Sequence, residues 1–554
     1  MKVLICCLNS KYIHASLAPW CLYSSSKETN KAIDYFVYES TINNTNEAIV
    51  NKILEEDYKI ISFSCYIWNI EKTLEICKEL KAKTNATIVL GGPEVSYRAK
   101  NVLSLYPFVD FVLSGEGEET YPLLTKALTE NTSYKKIDGL SYRENGVIIS
   151  NPEKEYTGTP VTPYCDEYFE NLQSRISYIE ASRGCPYNCA FCLSGRCSDL
   201  RHFDTERVKS DILRLSVGGS KTIKFVDRTF NANYKKCDEI LTFILENHKK
   251  EIPEGVCFHF EIAGDILKQS TMDIFKSAPQ GLFQLEIGMQ SFNEDTLKAI
   301  NRKTDTKRLI ENIKTLISFN NMHIHIDLIA GLPLENMESF RRSFNIGYCL
   351  GANMLQMGFL KVLHGAEMRE NKEKYPCTFT ESAPYQVTST PWLTEKEINA
   401  LHNCEDALER MYNSGRFLYT LEYLIDEIGF EPFELFYNFG NTVKVDKISL
   451  SDYAGEIYNY FYNKADSEIL REKLICDLLS SSSALQIPDF LKRKDSKYKQ
   501  IKKHFMTPEN QQIKIAILYK QNKVFAVDQK KPKGFNGRYT GTFYSLSDFD
   551  ILFD

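Results

Sequence analysis

The sequence predicts an α/β protein in which two strand-and-helix units are followed by a mainly helical region. Three observations carry this. Continuous apolar runs alternate with helical patterns over residues 1–128. A second series of six such units fills residues 170–370. From about residue 371 the strands give way to aromatic-rich helical segments. With 554 residues the chain is too long for one core, and two to four domains are expected.

In the first part, VLICCLN (3–9), YFVYES (35–40), KIISFSC (59–65), ATIVLGG (86–92) and FVDFVLSG (108–115) read as strands. Segments 16–28, 46–56, 70–83 and 117–129 read as the helices between them. Apolar strands separated by helices form buried parallel sheets. Five of them fit a doubly wound, flavodoxin-like unit, which takes ligands beyond the carboxyl ends of its strands. The loops there are Asn9 to Ser16, Ser64 to Asn69, Gly91-Gly92-Pro93-Glu94 and Gly115-Glu116-Gly117-Glu118. Paired glycines let a ligand approach the backbone, and they also make ordinary tight turns.

Residues 129–169 are polar and rich in Gly and Pro, which marks a connector. Asn145-Gly146 predicts a hairpin over 138–150. The second part starts with a strand over 174–182 and continues with strands over 221–230, 255–264, 281–291, 321–333 and 353–363. Helices are expected at 205–217, 234–249, 267–276, 293–300, 306–319 and 337–349. Six βα units fit a partial α/β barrel, whose sites lie at the C-terminal strand ends. In the third part (371–554), helices are expected at 394–413, 419–427, 432–439, 451–463 and 466–481. A last hairpin (513–520, 523–529) turns at Gln521-Asn522. Lys530, Lys531, Lys533 and Arg538 form a basic cluster, read either as a solvated face or as an anion contact.

Composition narrows the function. The net charge of -6 argues against a general nucleic-acid binder. No run approaches the ~18 apolar residues of a membrane span. The start, MKVLICCLN, lacks signal-peptide features and reads as a first strand. The sixteen cysteines are scattered, and Cys6, Cys7, Cys65 and Cys476 sit among apolar residues, so a reducing cytoplasm is expected.

Residues 183–192 read Arg-Gly-Cys-Pro-Tyr-Asn-Cys-Ala-Phe-Cys. Cys185, Cys189 and Cys192 have the spacing C-x3-C-x2-C at the end of the first barrel strand. A structural zinc site takes four protein ligands, usually in two separated pairs. An ordinary [4Fe–4S] cluster takes four cysteines. Three close thiolates with no evident fourth point to a cubane with one iron left open for a ligand. Cys197 lies five residues on and reads as a spare thiol, since a fourth protein ligand would close that iron. An open iron also implies protection from oxygen.

With this loop and strand order, residues 170–370 resemble a radical S-adenosylmethionine (SAM) domain. The N-terminal two-thirds resembles the cobalamin (B12)-binding radical SAM class, close to its branch with an additional uncharacterised C-terminal domain. The resemblance implies a [4Fe–4S] cluster on the three cysteines. SAM would be chelated at the open iron and cleaved by one electron to a 5′-deoxyadenosyl radical. Phe191 would shield the cluster and flank the adenine. Glu261 would take the SAM ammonium, Gln290 the ribose, Arg302 the SAM carboxylate and Asp327 the ribose hydroxyls. Gly331, in Gly331-Leu332-Pro333, would admit the adenine to the backbone. Val226-Asp227-Arg228 replaces the usual Gly-Gly-Glu run, and Asp227 is a further candidate for the ammonium. Lys361 and His364 end the sixth strand and are candidates for substrate contact.

For the first domain the resemblance implies that Ser64, Gly91 and Gly92 line the nucleotide tail of cobalamin. The usual Asp-x-His-x-x-Gly motif is missing. The loop reads Asn9-Ser10-Lys11-Tyr12-Ile13-His14, so His14 is either a cobalt ligand or a polar loop residue. Water, Tyr66 or Trp68 are the alternatives at the lower face of cobalt, and both aromatics could equally be core. The class implies an enzyme that abstracts hydrogen from a small molecule or peptide and often methylates the carbon radical. A flavodoxin or ferredoxin would be its reductant. Radical chemistry without methyl transfer, radical SAM chemistry without cobalamin, and a non-enzymatic iron–sulfur sensor or electron carrier remain alternatives.

Overall fold

The first strand, β1 (Lys2–Asn9), is apolar from Val3 to Leu8 and buried throughout that stretch. It pairs in parallel with β2 (Asp34–Thr41) on one side and β3 (Ile60–Ser64) on the other. β3 pairs with β4 (Thr87–Gly91), and β4 with β5 (Phe111–Leu113), also in parallel. The hairpin β6 (Leu140–Glu144) and β7 (Val147–Ser150) then joins β5 antiparallel. The sheet order is thus β2-β1-β3-β4-β5-β6-β7. Asn145 (φ 49°) and Gly146 (φ 80°) turn the hairpin in the left-handed conformation that matches strand twist. The strand order switches sides between β1 and β3, with β2 added on one side of β1 and β3 to β5 on the other, which opens a crevice at their carboxyl ends.

This is a computed structural model. It describes residues 1–196, 199–481, 487–493, 496–506, 512–534 and 537–552, so Cys197 lies outside the described residues. The chain divides into two compact units. The first comprises Met1–Glu286, Lys298–Asn312 and Leu360–Thr388; the second comprises Ile287–Leu297, Ile313–Phe359 and Ser389–Asp554.

In the first unit, helices Ala18–Thr29, Asn46–Ile53, Ile70–Lys83 and Gly117–Glu130 alternate with the first five strands. Two short helices, Pro93–Ser96 and Ala99–Leu105, fill the connection after β4 that the sequence left irregular. Both are too brief to show a 3.6-residue period. The chain then enters β8 (Ser177–Ile179) through Arg175, whose buried guanidinium pairs with buried Glu39 of β2 at 3.0 Å. Two-residue strands β9 (Ser182–Arg183) and β10 (Arg201–His202) pair antiparallel and bring the ends of the cysteine loop together. β8 pairs in parallel with β11 (Thr222–Phe225), and β11 with β12 (Cys257–Ile262). Helices Thr205–Val217 and Tyr234–Asn247 flank β11. Phe225, Phe230 and Phe260 cluster with centroids 4.4–5.0 Å apart and fill the interior beside these strands.

The strand β13 (Phe283–Gln290) follows. In the second unit, β14 (His323–Ala330) and β15 (Met354–Phe359) pair in parallel around helix Met337–Cys349. The stretch Leu360–Thr388 of the first unit carries two-residue β16 (Thr378–Phe379) and most of three-residue β17 (Val387–Ser389), which form a small sheet. The C-terminal region is mainly helical. Helix Glu395–Leu408 starts with a capping box, Thr394 with Glu397. Helices Leu418–Glu422, Pro432–Thr442, Leu450–Phe461 and Ser467–Ser481 follow. Phe344 packs edge-on against Phe433 at 5.4 Å, which joins helix Met337–Cys349 to this bundle. The expected hairpin is β18 (Ile513–Leu518) with β19 (Lys523–Asp528), extended by a third strand, β20 (Gly541–Ser545). Arg538 is not part of a solvated face. It is buried and donates to fully buried Asp477 at 2.9 Å, while Lys530, Lys531 and Lys533 are exposed. The fold class read from the sequence therefore holds: parallel-sheet α/β units, then a helical C-terminal region.

Candidate functional site

The cysteine loop is fixed at both ends. Buried Asp227, just after β11, accepts from the Ala181 N–H at 2.9 Å and from the Ser182 hydroxyl. Both carboxylate oxygens are thereby used to brace the entry to the loop, so Asp227 does not act as a free group at the strand end. Burial raises its carboxyl to about 7. Gly184 has φ +101°, and a Cβ there would lie 2.5 Å from the Asp199 carbonyl oxygen, so this position admits only glycine. Within the loop, the Cys192 N–H donates to the Cys189 carbonyl at 3.0 Å.

Cys189 is buried, whereas Cys185 and Cys192 are partly exposed. The Arg302 guanidinium lies 3.9 Å from Cys189 Sγ. Burial raises the Cys189 thiol, and Arg302 acts against that rise. Cys185 Sγ is 3.5 Å from the Thr229 hydroxyl. Phe191 sits inside the loop, half-buried. Three thiols on one short loop beside a fixed cation suit a thiolate-held metal cluster.

Glu261, the penultimate residue of β12, has Lys224 at 3.6 Å and Arg228 at 3.8 Å. Burial raises its carboxyl, and Arg228 opposes this. The first unit thus gathers the cysteines, Phe191, Glu261 and Arg302. Gln290, Asp327 and Gly331 belong to the second unit. Gln290 ends β13 with φ +67°, an uncommon backbone for a residue with a side chain. Asp327 lies 2.6 Å from His325 Nε2 on the same face of β14, and Gly331 (φ +88°) follows that strand. His364 packs against the Tyr385 ring at 4.9 Å. Burial, with Arg98 and Arg369 nearby, pushes its pKa down to about 3, so it is a neutral imidazole.

A cavity of about 630 Å³ opens at the carboxyl ends of β1, β3, β4 and β5, within the range of small-molecule sites. Ser62, Ser64 and Gly91 line it, with Gly92 at the next position. Gly92 has φ +103°, and a Cβ would lie 2.6 Å from the Cys65 carbonyl oxygen. Tyr66 and Trp68 stack with nearly parallel rings at 4.5 Å and also line the cavity. Trp68 is 44% exposed, so it is not core. His14 Nδ1 lies 2.6 Å from the Tyr178 hydroxyl, a bond that holds the imidazole at the cavity wall.

Sequence reasoning missed Tyr178, Glu180, Arg183 and Arg228, which face the same cavity from β8 to β11. Arg183 donates to Glu118 at 2.8 Å and to Glu180 at 2.7 Å, and also to Glu116. Arg201 reaches Glu116 at 2.6 Å. The acidic Gly115-Glu116-Gly117-Glu118 loop was the available signal. The deep small-residue channel and the flat aromatic pair suit a large ligand with a polar tail and a planar ring, the shape of cobalamin.

Comparison with known proteins identifies three domain families along the chain. Residues 13–125 match the B12 binding domain, residues 179–346 the radical SAM superfamily, and residues 373–531 a protein family of unknown function, DUF4080. The chain is 28% identical over 315 residues to a cobalamin-dependent radical SAM methyltransferase, TokK, from Streptomyces tokunonensis, covering 53% of this chain and 45% of that protein. It is 22% identical to an anaerobic magnesium-protoporphyrin IX monomethyl ester cyclase from Cereibacter sphaeroides, covering 57% and 53%. The chain thus spans about half the length of these curated relatives. Its fold is shared with the cobalamin-dependent SAM radical enzyme OxsB with aqua-cobalamin bound: TM-score 0.60, 15% identity, covering 86% of this chain and 80% of the other. Domain matches, cysteine loop and fold together make the chain a B12-binding radical SAM protein with a DUF4080 C-terminal domain.

Proposed function

We propose that the protein is a cobalamin-dependent radical SAM enzyme that cleaves SAM reductively and methylates a carbon centre of a small molecule or peptide. The observation that carries this reading is one unit holding both the three-cysteine loop and the 630 Å³ cavity, with Arg183 at the start of the loop and on the cavity wall. When bound, the [4Fe–4S] cluster supplies the electron that cleaves SAM and cobalamin carries the methyl group.

The chain's own residues would act as follows. Cys185, Cys189 and Cys192 hold the cluster, and Phe191 covers it. Within the first unit, Glu261 takes the SAM ammonium and Arg302 its carboxylate. Ser64, Gly91 and Gly92 receive the cobalamin tail. The Tyr66–Trp68 pair would offer a flat aromatic face to the cobalamin ring. His14, held by Tyr178, is a wall residue in this reading. A flavodoxin or ferredoxin supplies electrons, in a cytoplasmic and anaerobic setting. Among the described residues no helix is long and apolar enough to cross a membrane.

Ring-forming chemistry is the second reading, favoured by the likeness to the cyclase. Both readings require cobalamin. Protein purified anaerobically from cells grown with the vitamin is expected to carry cobalamin and cluster absorbance together. Protein with an intact cluster and no cobalamin absorbance would overturn the cobalamin assignment.

A further inference from the structure

The C-terminal region carries a second cavity, of about 380 Å³, wholly within the second unit. It lies among helix Ser467–Ser481, the turn Asp489–Leu491, helix Tyr498–Phe505 and β18. Its apolar lining is continuous: Ile475, Leu479, Leu491, Ile515 and Ile517 are each less than a tenth exposed. The charged residues that line it are Arg471, Lys492, Arg493 and Lys514, four cations, with no carboxylate among the described lining.

Arg471 is the informative member. It is 5% exposed, deep in the wall, where a charge is retained only with partners. Its Nη1 donates to the Leu491 carbonyl at 2.9 Å, and its Nε reaches Glu468 at 3.3 Å. Its Nη2 has no hydrogen-bond partner among the described residues. The Glu472 carboxylate, 3.9 Å from that nitrogen, accepts instead from the Lys520 N–H at 2.8 Å and the Gln521 side chain at 3.2 Å. Lys492 pairs with Asp489 and Arg493 with Glu468, the carboxylate that Arg471 also reaches, whereas Lys514 makes no ion pair with a described residue.

An apolar chamber whose charged lining is cationic throughout is complementary to a molecule that is apolar along its length and anionic at one end. The geometry points to a binding site for a free single-chain amphiphile with an anionic head, a fatty carboxylate or an alkyl phosphate. The chain fills the space between Ile475, Leu491 and Ile517, and the head meets Lys514 at the entrance, with the Arg471 guanidinium in the wall behind it. This goes beyond the radical reading and does not depend on it.

Calorimetric titration of the full-length protein with dodecanoate and with dodecyl phosphate, below their micelle concentrations, tests the site. Saturable one-to-one binding is expected for at least one of them, and their ratio tells carboxylate from phosphate. Dodecyl maltoside, with a neutral head, is expected to bind at least tenfold more weakly. Lys514→Glu at the partly exposed entrance, and Ala516→Trp, which fills the chamber, are each expected to weaken binding at least tenfold. Arg471→Met is expected to abolish the preference for an anionic head. If that variant fails to fold, Lys514→Glu carries the test. No saturable binding by the wild type, equal binding of all three ligands, or variants that bind like the wild type would each overturn the proposal. So would co-sedimentation with phosphatidylglycerol vesicles that survives Ala516→Trp, which would assign the basic wall to a membrane surface.

Discussion

Arg183 Nη2 donates to the Glu118 carboxylate at 2.8 Å, across 65 positions of chain. Arg183 lies two residues before the first cluster cysteine, and Glu118 opens the helix Gly117–Glu130 behind the larger cavity. The pair therefore ties the cysteine loop to the wall of the proposed cobalamin site. Burial pushes the Glu118 carboxyl up, but Arg183 outweighs it and leaves the pKa below its usual value.

Arg183→Met should therefore cost stability and loosen both sites. Breaking a partly buried pair of this kind costs about 1–3 kcal/mol. A depressed carboxyl pKa stabilises the fold above the unfolded-state pKa and ceases to do so as pH falls through the folded value. The variant should thus lose part of the acid sensitivity of the wild type. Thermal melts from pH 7 down to pH 3, with iron content of reconstituted protein, check this. A variant with wild-type melting and iron content would dissociate the pair from the site.

Gly92→Val should abolish cobalamin retention. The left-handed backbone and the approach to Cys65 together cost about 3 kcal/mol or more for any side chain. Gly146 also has positive φ, but open space surrounds it, so Gly146→Asn should be nearly neutral. Comparing the two variants by thermal melting and cobalamin absorbance separates the close approach from backbone conformation alone.

Trp68 stands 44% exposed while its indole N–H donates to the Leu8 carbonyl at 3.0 Å, an orientation held ready for a flat ligand. Stacking on such a ring contributes about 1 kcal/mol. Trp68→Ala should weaken cobalamin binding roughly tenfold, a change of about 1.4 kcal/mol, and shift its visible bands. Equilibrium dialysis with absorbance spectra reads both. An unaltered spectrum and affinity would remove Trp68 from the site.

The cysteine loop was legible because its chemistry depends on local spacing alone. Helices such as Ile70–Lys83 and Thr205–Val217 were legible because a 3.6-residue period runs their full length. The rest needed long-range partners. Asp227 stands at a strand end like the other candidates, yet its carboxylate turns back to Ala181 and Ser182. Glu118 and Arg183 are far apart in sequence, and nothing local marks them as a pair. Arg538 looks like its lysine neighbours until Asp477 is found beneath it. β20 is short, and its TFY core is exposed, so it lacks the alternation that reveals a half-buried strand.

Glu335 gives a pH prediction in the second unit. It is fully buried and accepts from Ser291 at 2.5 Å and Ser343 at 3.3 Å. Burial raises its carboxyl to about 7. A raised carboxyl pKa means that the folded state holds its proton longer than the unfolded one. This contribution to stability is complete below pH ~4.3 and is lost as pH rises through about 7. Glu335→Gln should therefore melt higher than the wild type at pH 8, with little difference at pH 5. Equal melting temperatures at pH 8 would show that the carboxyl ionises without cost.

The central claim is that Cys185, Cys189 and Cys192 form a SAM-cleaving centre. The direct measurement is 5′-deoxyadenosine released after anaerobic reconstitution with iron, sulfide, cobalamin and a strong reductant. The wild type should produce it from SAM, and Cys189→Ala, lacking a cluster, should not. Wild-type protein with an intact cluster that yields no 5′-deoxyadenosine, and whose cluster spectrum ignores SAM, would contradict the account.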